Sequence, residues 1–120
     1  MKYLLLIYQN RDSWNALPEA ERLGAIAEAE AIMKELTESG EWISGDGLAD
    51  PSQARTFRSR DGVPVLTDGP FVEAKEQLAG FCLLEFESPQ RAAEIASRWP
   101  DARYAGVELR PLMGHSGAEM

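Results

Sequence analysis

Apolar residues run unbroken from Tyr3 to Tyr8, the pattern of a strand with no wet side, and residues 2–8 are predicted to form the first strand. Over residues 18–39 the spacing becomes helical. Leu23, Ile26, Ala29, Met33 and Leu36 fall on one face, with Glu21, Glu28 and Glu35 largely elsewhere. Pro18, Glu19 and Glu21 suit a first turn, and Gly40 suits the stop. Residues 42–48 and 54–60 predict two shorter strands parted by Asp50-Pro51-Ser52. Residues 63–67 predict a third, entered through an Asp61-Gly62 hairpin turn. Residues 79–87 are the next strand. Ser88 and Pro89 then supply an N-cap and a first-turn proline to a second helix carrying Ala92, Ile95, Ala96 and Trp99, which Pro100 ends. A last strand is expected over residues 104–112, followed by a frayed tail over residues 114–120. No internal repeat or low-complexity segment interrupts this order.

Strand, helix, strands, strand, helix, strand is an α+β, ferredoxin-like plan with an added hairpin in the middle, forming one domain over residues 1–113. Both helices would cover the same face of one antiparallel sheet, whose other face should then be polar. It is not. Tyr3, Leu5 and Ile7 alternate with Leu4, Leu6 and Tyr8, while Cys82, Leu84 and Phe86 alternate with Phe81 and Leu83. The second face needs a cover, and the equivalent sheet of a second subunit in an isologous dimer is the economical one. The alternative is that these are central strands lying beneath the mid-chain hairpin.

Composition narrows the function. The 120 residues are 44% apolar and 27% charged, the balance of one ordinary globular domain. Twenty acidic against twelve basic residues give a net charge of -8, which repels phosphate backbones and anionic lipid surfaces. Direct nucleic-acid and membrane binding are therefore not expected. The run from Tyr3 to Tyr8 is far too short to span a bilayer and lacks the features of a signal peptide, so a cytoplasmic protein is expected. Cys82 is the sole cysteine and His115 the sole histidine, so a metal site would have to be built almost wholly from carboxylates, and none is expected.

The most informative stretch is residues 67–77, Thr-Asp-Gly-Pro-Phe-Val-Glu-Ala-Lys-Glu-Gln. Asp68-Gly69-Pro70 is a strong turn signal, because Gly tolerates positive φ and Pro70 fixes its own φ and keeps Gly69 out of the helical region. With Met1 to Tyr8, Trp14, the Gly40 turn, Ala54 to Arg58, Lys75-Glu76, Gly80-Phe81 and Val107 to Pro111, the chain resembles the DGPF branch of the YCII-related proteins over nearly its whole length. The resemblance implies the dimeric α+β barrel, in which two sheets face each other across a cavity that is the usual small-molecule site.

Four sets of residues are candidates for chemistry. Asp68, at a strand end against an apolar barrel mouth, would have its pKa raised by desolvation and serve as a general acid or base; the competing role, which leads, is that of a turn aspartate accepting backbone bonds. Glu73, Lys75 and Glu76 follow the turn, and Lys75 is placed to hold an anionic ligand. The apolar flank of Phe71, Val72, Leu78 and Phe81 can hold these charges in position, and their functional role stands level with that of a solvated loop. Arg58 shares one side of its strand with Thr56 and Arg60 and is a candidate ligand contact, whereas Arg110 is expected at the rim with Glu108 of a neighbouring subunit, Glu85 or Glu87. Tyr8 and Trp14 flank the exit from the first strand, either as an aromatic wall for a planar ligand or, with better odds, as packing.

Some YCII-related proteins carry a His and an Asp that resemble an acid-base pair, with the His soon after the first strand. Residues 9–21 contain no histidine, and His115 matches no family motif. No nucleophile elbow, phosphate loop or dinucleotide fingerprint is present either. The function expected is a small-ligand-binding homodimer acting as a cofactor-free lyase or isomerase by proton transfer on a small acidic or aromatic molecule. The alternative is a non-catalytic accessory protein: genes of DGPF-type proteins often lie beside those of extracytoplasmic-function sigma factors, so the resemblance also implies such a partner.

Overall fold

The computed structural model describes residues 1–114, which leaves His115 and the remainder of the expected tail outside the described residues. Strand β1 (Lys2–Asn10) runs two residues past its expected end. It is followed by a short helix that the hydrophobic pattern does not predict, α1 (Arg11–Ala16). Then come α2 (Glu19–Ser39), β2 (Trp42–Gly47), β3 (Arg55–Arg60), β4 (Val63–Asp68), β5 (Glu76–Glu85), α3 (Pro89–Arg98), the short α4 (Asp101–Tyr104) and β6 (Gly106–Pro111). Strands β2-β5-β1-β6 form one antiparallel sheet in that order, which is the ferredoxin-like arrangement with both long connections helical. Strands β3 and β4 form a separate two-stranded sheet.

One face of the four-stranded sheet is covered by helices. Tyr3, Leu5, Ile7, Cys82 and Leu84 are buried there with Ile32 and Leu36 of α2, Ala92 and Ile95 of α3, Phe86 and Trp99. Helix α2 is turned relative to the face expected of it. Its buried positions are Ala25, Ile32 and Leu36 with Ala29 half-buried, one stripe at helical spacing, while Leu23 and Ile26 are exposed. The small residues set the close approach and the larger ones at the N-terminal end are left outside it. Cys82 is the sole cysteine, and burial pushes its thiol up to about 12.

Side-chain pairing ties the helices together. Arg91 on α3 bonds Glu41 at 2.8 Å, Glu35 at 3.1 Å and Glu94 at 3.1 Å, while Arg98 bonds Glu35 at 2.8 Å. The two guanidiniums hold the Glu35 carboxyl down to about 2, Arg98 having the larger effect. Midway along α2, Arg103 of α4 pairs with Glu28 at 2.9 Å. Because α4 takes in Tyr104, expected to open the last strand, and is capped by Ala105, β6 begins only at Gly106.

Leu4, Leu6, Tyr8, Phe81 and Leu83 point to the opposite face and are half-buried. The hairpin does not cover them. Strand β4 is exposed along its whole length and β3 is exposed apart from Thr56, so neither hairpin face is packed against the sheet. The hairpin stands off instead, giving a flat molecule of 48 × 46 × 18 Å with a radius of gyration of 16.5 Å. A compact chain of this length would have one of about 13.5 Å.

Candidate functional site

The site begins at the end of β1. Asn10 leaves the strand in extended conformation, and its Oδ1 accepts the Ser13 backbone N–H at 3.1 Å, capping α1. That cap starts the helix that carries Arg11, Asp12 and Trp14 to the cleft. Trp14 packs edge-on against Tyr104 with ring centroids 5.7 Å apart. Across from α1 lies the segment after β2, where the Asp50 carboxylate accepts the Ser52 backbone N–H at 3.0 Å and pairs with Arg11. Ser52 and then Arg11 hold that carboxyl down to about 2.

The loop between β4 and β5 forms the third wall. Gly69 has a φ of 103°, donates its N–H to the Ala54 carbonyl at 2.7 Å and accepts the Thr56 hydroxyl at 2.9 Å. Gln77 Nε2 donates to the carbonyls of Val72 at 2.8 Å and Ala74 at 2.9 Å, which pins the returning half of the loop. These three walls enclose an open cleft of about 980 Å³, within the size range of small-molecule sites. Its polar lining includes Arg11, Asp12, Asp50, Glu73 and Lys75, and Trp14 supplies its aromatic surface. Gln9, also on the wall, donates from Nε2 to Asp101 at 3.1 Å, and burial pushes the Asp101 carboxyl up.

The seven residues singled out in the sequence fall in three places. Trp14, Glu73 and Lys75 line the cleft. Glu76 opens β5 beside it and accepts the Asn10 side-chain amide at 3.3 Å. Asp68 ends β4 opposite Arg55, exposed and outside the cleft lining, and Arg58 lies farther along the hairpin with its guanidinium 4.9 Å from the Phe71 ring centroid. Tyr8 is on the open sheet face, where its hydroxyl donates to Glu108 Oε1 at 3.1 Å; burial, then Glu108, pushes the phenol up. Glu108 also meets Arg110 of its own chain at 3.8 Å. Arg11, Asp12, Asn10 and Asp50 were not anticipated. The Asn-Arg-Asp-Ser and Asp-Pro-Ser sequences are the signals that point to them, since both are side-chain caps.

Chemically, the cleft offers Trp14 as a flat apolar wall and Lys75 as a cation, which forms no ion pair among the described residues. Arg11 is already committed to Asp50. Among the described residues no three His, Cys, Asp or Glu side chains gather as a metal-binding group, and no helix is long and apolar enough to cross a membrane. The YCII-related domain matches residues 1–115. The chain belongs to the YCII-related family. An uncharacterized protein from Rhizobium meliloti (strain 1021) is 29% identical over 122 residues, covering 100% of this chain and 98% of that one. Among solved structures, the 5-chloro-2-hydroxyhydroquinone dehydrochlorinase from Burkholderia phenoliruptrix AC1100, in complex with 2,5-dihydroxybenzoquinone, is similar with a TM-score of 0.57. The identity is 13%, with 99% of this chain and 100% of that one covered. The likeness shows the fold: this YCII-related chain has the α+β subunit architecture of a dimeric α+β barrel.

Proposed function

We propose that this protein is a cytoplasmic homodimer that binds a small planar acid or oxygenated ring and acts on it by proton transfer, without a cofactor, as a lyase or isomerase. The observation that carries the proposal is the cleft in which the aromatic wall of Trp14 and the cation of Lys75 share one lining. A ring stacks on the first and its negative oxygen pairs with the second. The quinone bound by the dehydrochlorinase of like fold is a molecule of this kind. Dimerisation is supported by the apolar sheet face carrying Leu4, Leu6, Phe81 and Leu83, which no element of the described chain covers. Asp68 is assigned the proton-transfer role, and because it stands outside the cleft lining of its own chain, that assignment is tested separately from binding.

The test is a titration with 2,5-dihydroxybenzoquinone and with hydroxybenzoates, followed by amide chemical shifts. Saturable shifts are expected over residues 9–15 and 69–79. Lys75→Met should weaken binding about tenfold, the worth of a hydrogen bond to a charged group. Asp68→Asn should bind normally and lose turnover. No shifts at the cleft would sink the ligand proposal, and unchanged turnover in Asp68→Asn would remove Asp68 as the base. An extracytoplasmic-function sigma factor as partner is the competing proposal, supported by the net charge of -8. Co-purification of such a factor without any small-ligand binding would favour it.

A further inference from the structure

We propose that the β3–β4 hairpin is an arm that clasps a second copy of this chain, so that each cleft is held in shape by the partner. The proposal rests on the dimer proposed above and goes beyond it by assigning the hairpin to the partner. Six-residue strands make an arm of about 20 Å. Two-stranded hairpins are marginal alone in water and need a packed face. On one side of this arm Phe57 and Leu66 stand directly opposite each other, 68% and 52% exposed. That is a cross-strand apolar pair with nothing against it.

The arm is nevertheless built to keep its direction. The Gly69 N–H to Ala54 bond, the Thr56 hydroxyl bond to the Gly69 carbonyl and the stacking of Arg58 on Phe71 all fix its base. A rigid, outstretched, apolar element is preorganised for association, because little ordering remains to be done on binding.

Charge identifies the occupant. Residues 55–68 hold three arginines and two aspartates, leaving nine basic and eighteen acidic residues of the chain's twelve and twenty for the rest. A net positive arm on a strongly negative body is complementary to the body of another copy. Self-association through a two-fold axis satisfies both arms at once. The arm also reaches the site: Gly69 and Pro70, which directly follow β4, line the cleft, so immobilising the arm immobilises one cleft wall.

Two measurements test this. With benzoylphenylalanine in place of Phe57, irradiation of a mixture of isotopically heavy and light protein should join heavy to light peptides, with the label landing on the body of the other copy. The Phe57→Ser/Leu66→Ser variant changes only exposed side chains. It should keep the wild-type circular dichroism and raise the dimer dissociation constant at least tenfold in sedimentation equilibrium. A stable dimer without interchain crosslinks, or a double variant that dimerises as tightly as the wild type, overturns the arm and leaves the sheet-face dimer standing. A wild-type monomer at all concentrations overturns both. Crosslinks confined to one chain also reject the arm.

Discussion

Asn10 shows how one side chain organises the site. Its carbonyl oxygen caps α1, and its amide reaches Glu76 on the neighbouring strand, so one residue fixes both the helix that presents Arg11 and Trp14 and the strand that follows Lys75. Replacing it with Ala should destabilise the fold by about 1 kcal/mol, the usual cost of a lost N-cap, measurable by urea unfolding. Ligand affinity at the cleft should fall with it. At this scale the sequence was only partly legible. Lys75, Glu73 and Trp14 stand out by type and neighbourhood and line the cleft. Asn10 and Asp50 act through local hydrogen bonds to backbone, and such caps leave no hydrophobic periodicity to read. Asp68 is prominent in the motif and Arg58 in the strand before it, but both belong to the hairpin, because the motif's turn lies where the hairpin rejoins the body.

At the scale of elements, alternation and spacing predict β1, β5 and the two long helices well, since each buries a stripe, whereas β3 and β4 bury almost nothing and are marked by the Asp61-Gly62 turn. The errors are at places where short-range bonding outweighs periodicity. Helices α1 and α4 span six and four residues, too short for a hydrophobic repeat, and α4 displaces the start of the last strand. The strand expected at residue 79 starts at Glu76, because β5 must reach back to pair with the extended end of β1. The junction of α2 with α3 has its own signature. Glu35 bonds Arg98 and Arg91, and its carboxyl is held at about 2, against an ordinary value near 4.5. A depressed folded-state pKa means that the stabilisation is present above about 4.5 and is lost as the pH falls from there through 2. Unfolding midpoints in urea should therefore drop more steeply between these limits in the wild type than in Glu35→Gln. Equal slopes would show that this contact contributes nothing to acid sensitivity.

For the whole molecule, the two-sided apolar character of β1 and β5 is the most telling property of the sequence. It anticipates a sheet with a helix-covered face and a second face that no described element covers. The sequence left open whether the mid-chain hairpin covered it, and the separate sheet formed by β3 and β4 answers that it does not. Where the hairpin goes was not legible, because alternation specifies which residues of a strand share a side and not what that side meets.

The burial of Cys82 has a practical consequence. A thiol pushed up to about 12 and shut inside the helix-covered face is almost wholly protonated at neutral pH, and the thiolate is the form that reacts. Native protein should be silent to Ellman's reagent and should react with one equivalent only in denaturant. Fast labelling of the folded state would contradict this. A cysteine introduced on the hairpin, a cleft wall or the open sheet face would then be the sole reactive site in an otherwise unaltered protein. The molecule thus comes ready for spin labels and fluorophores that report distances between copies.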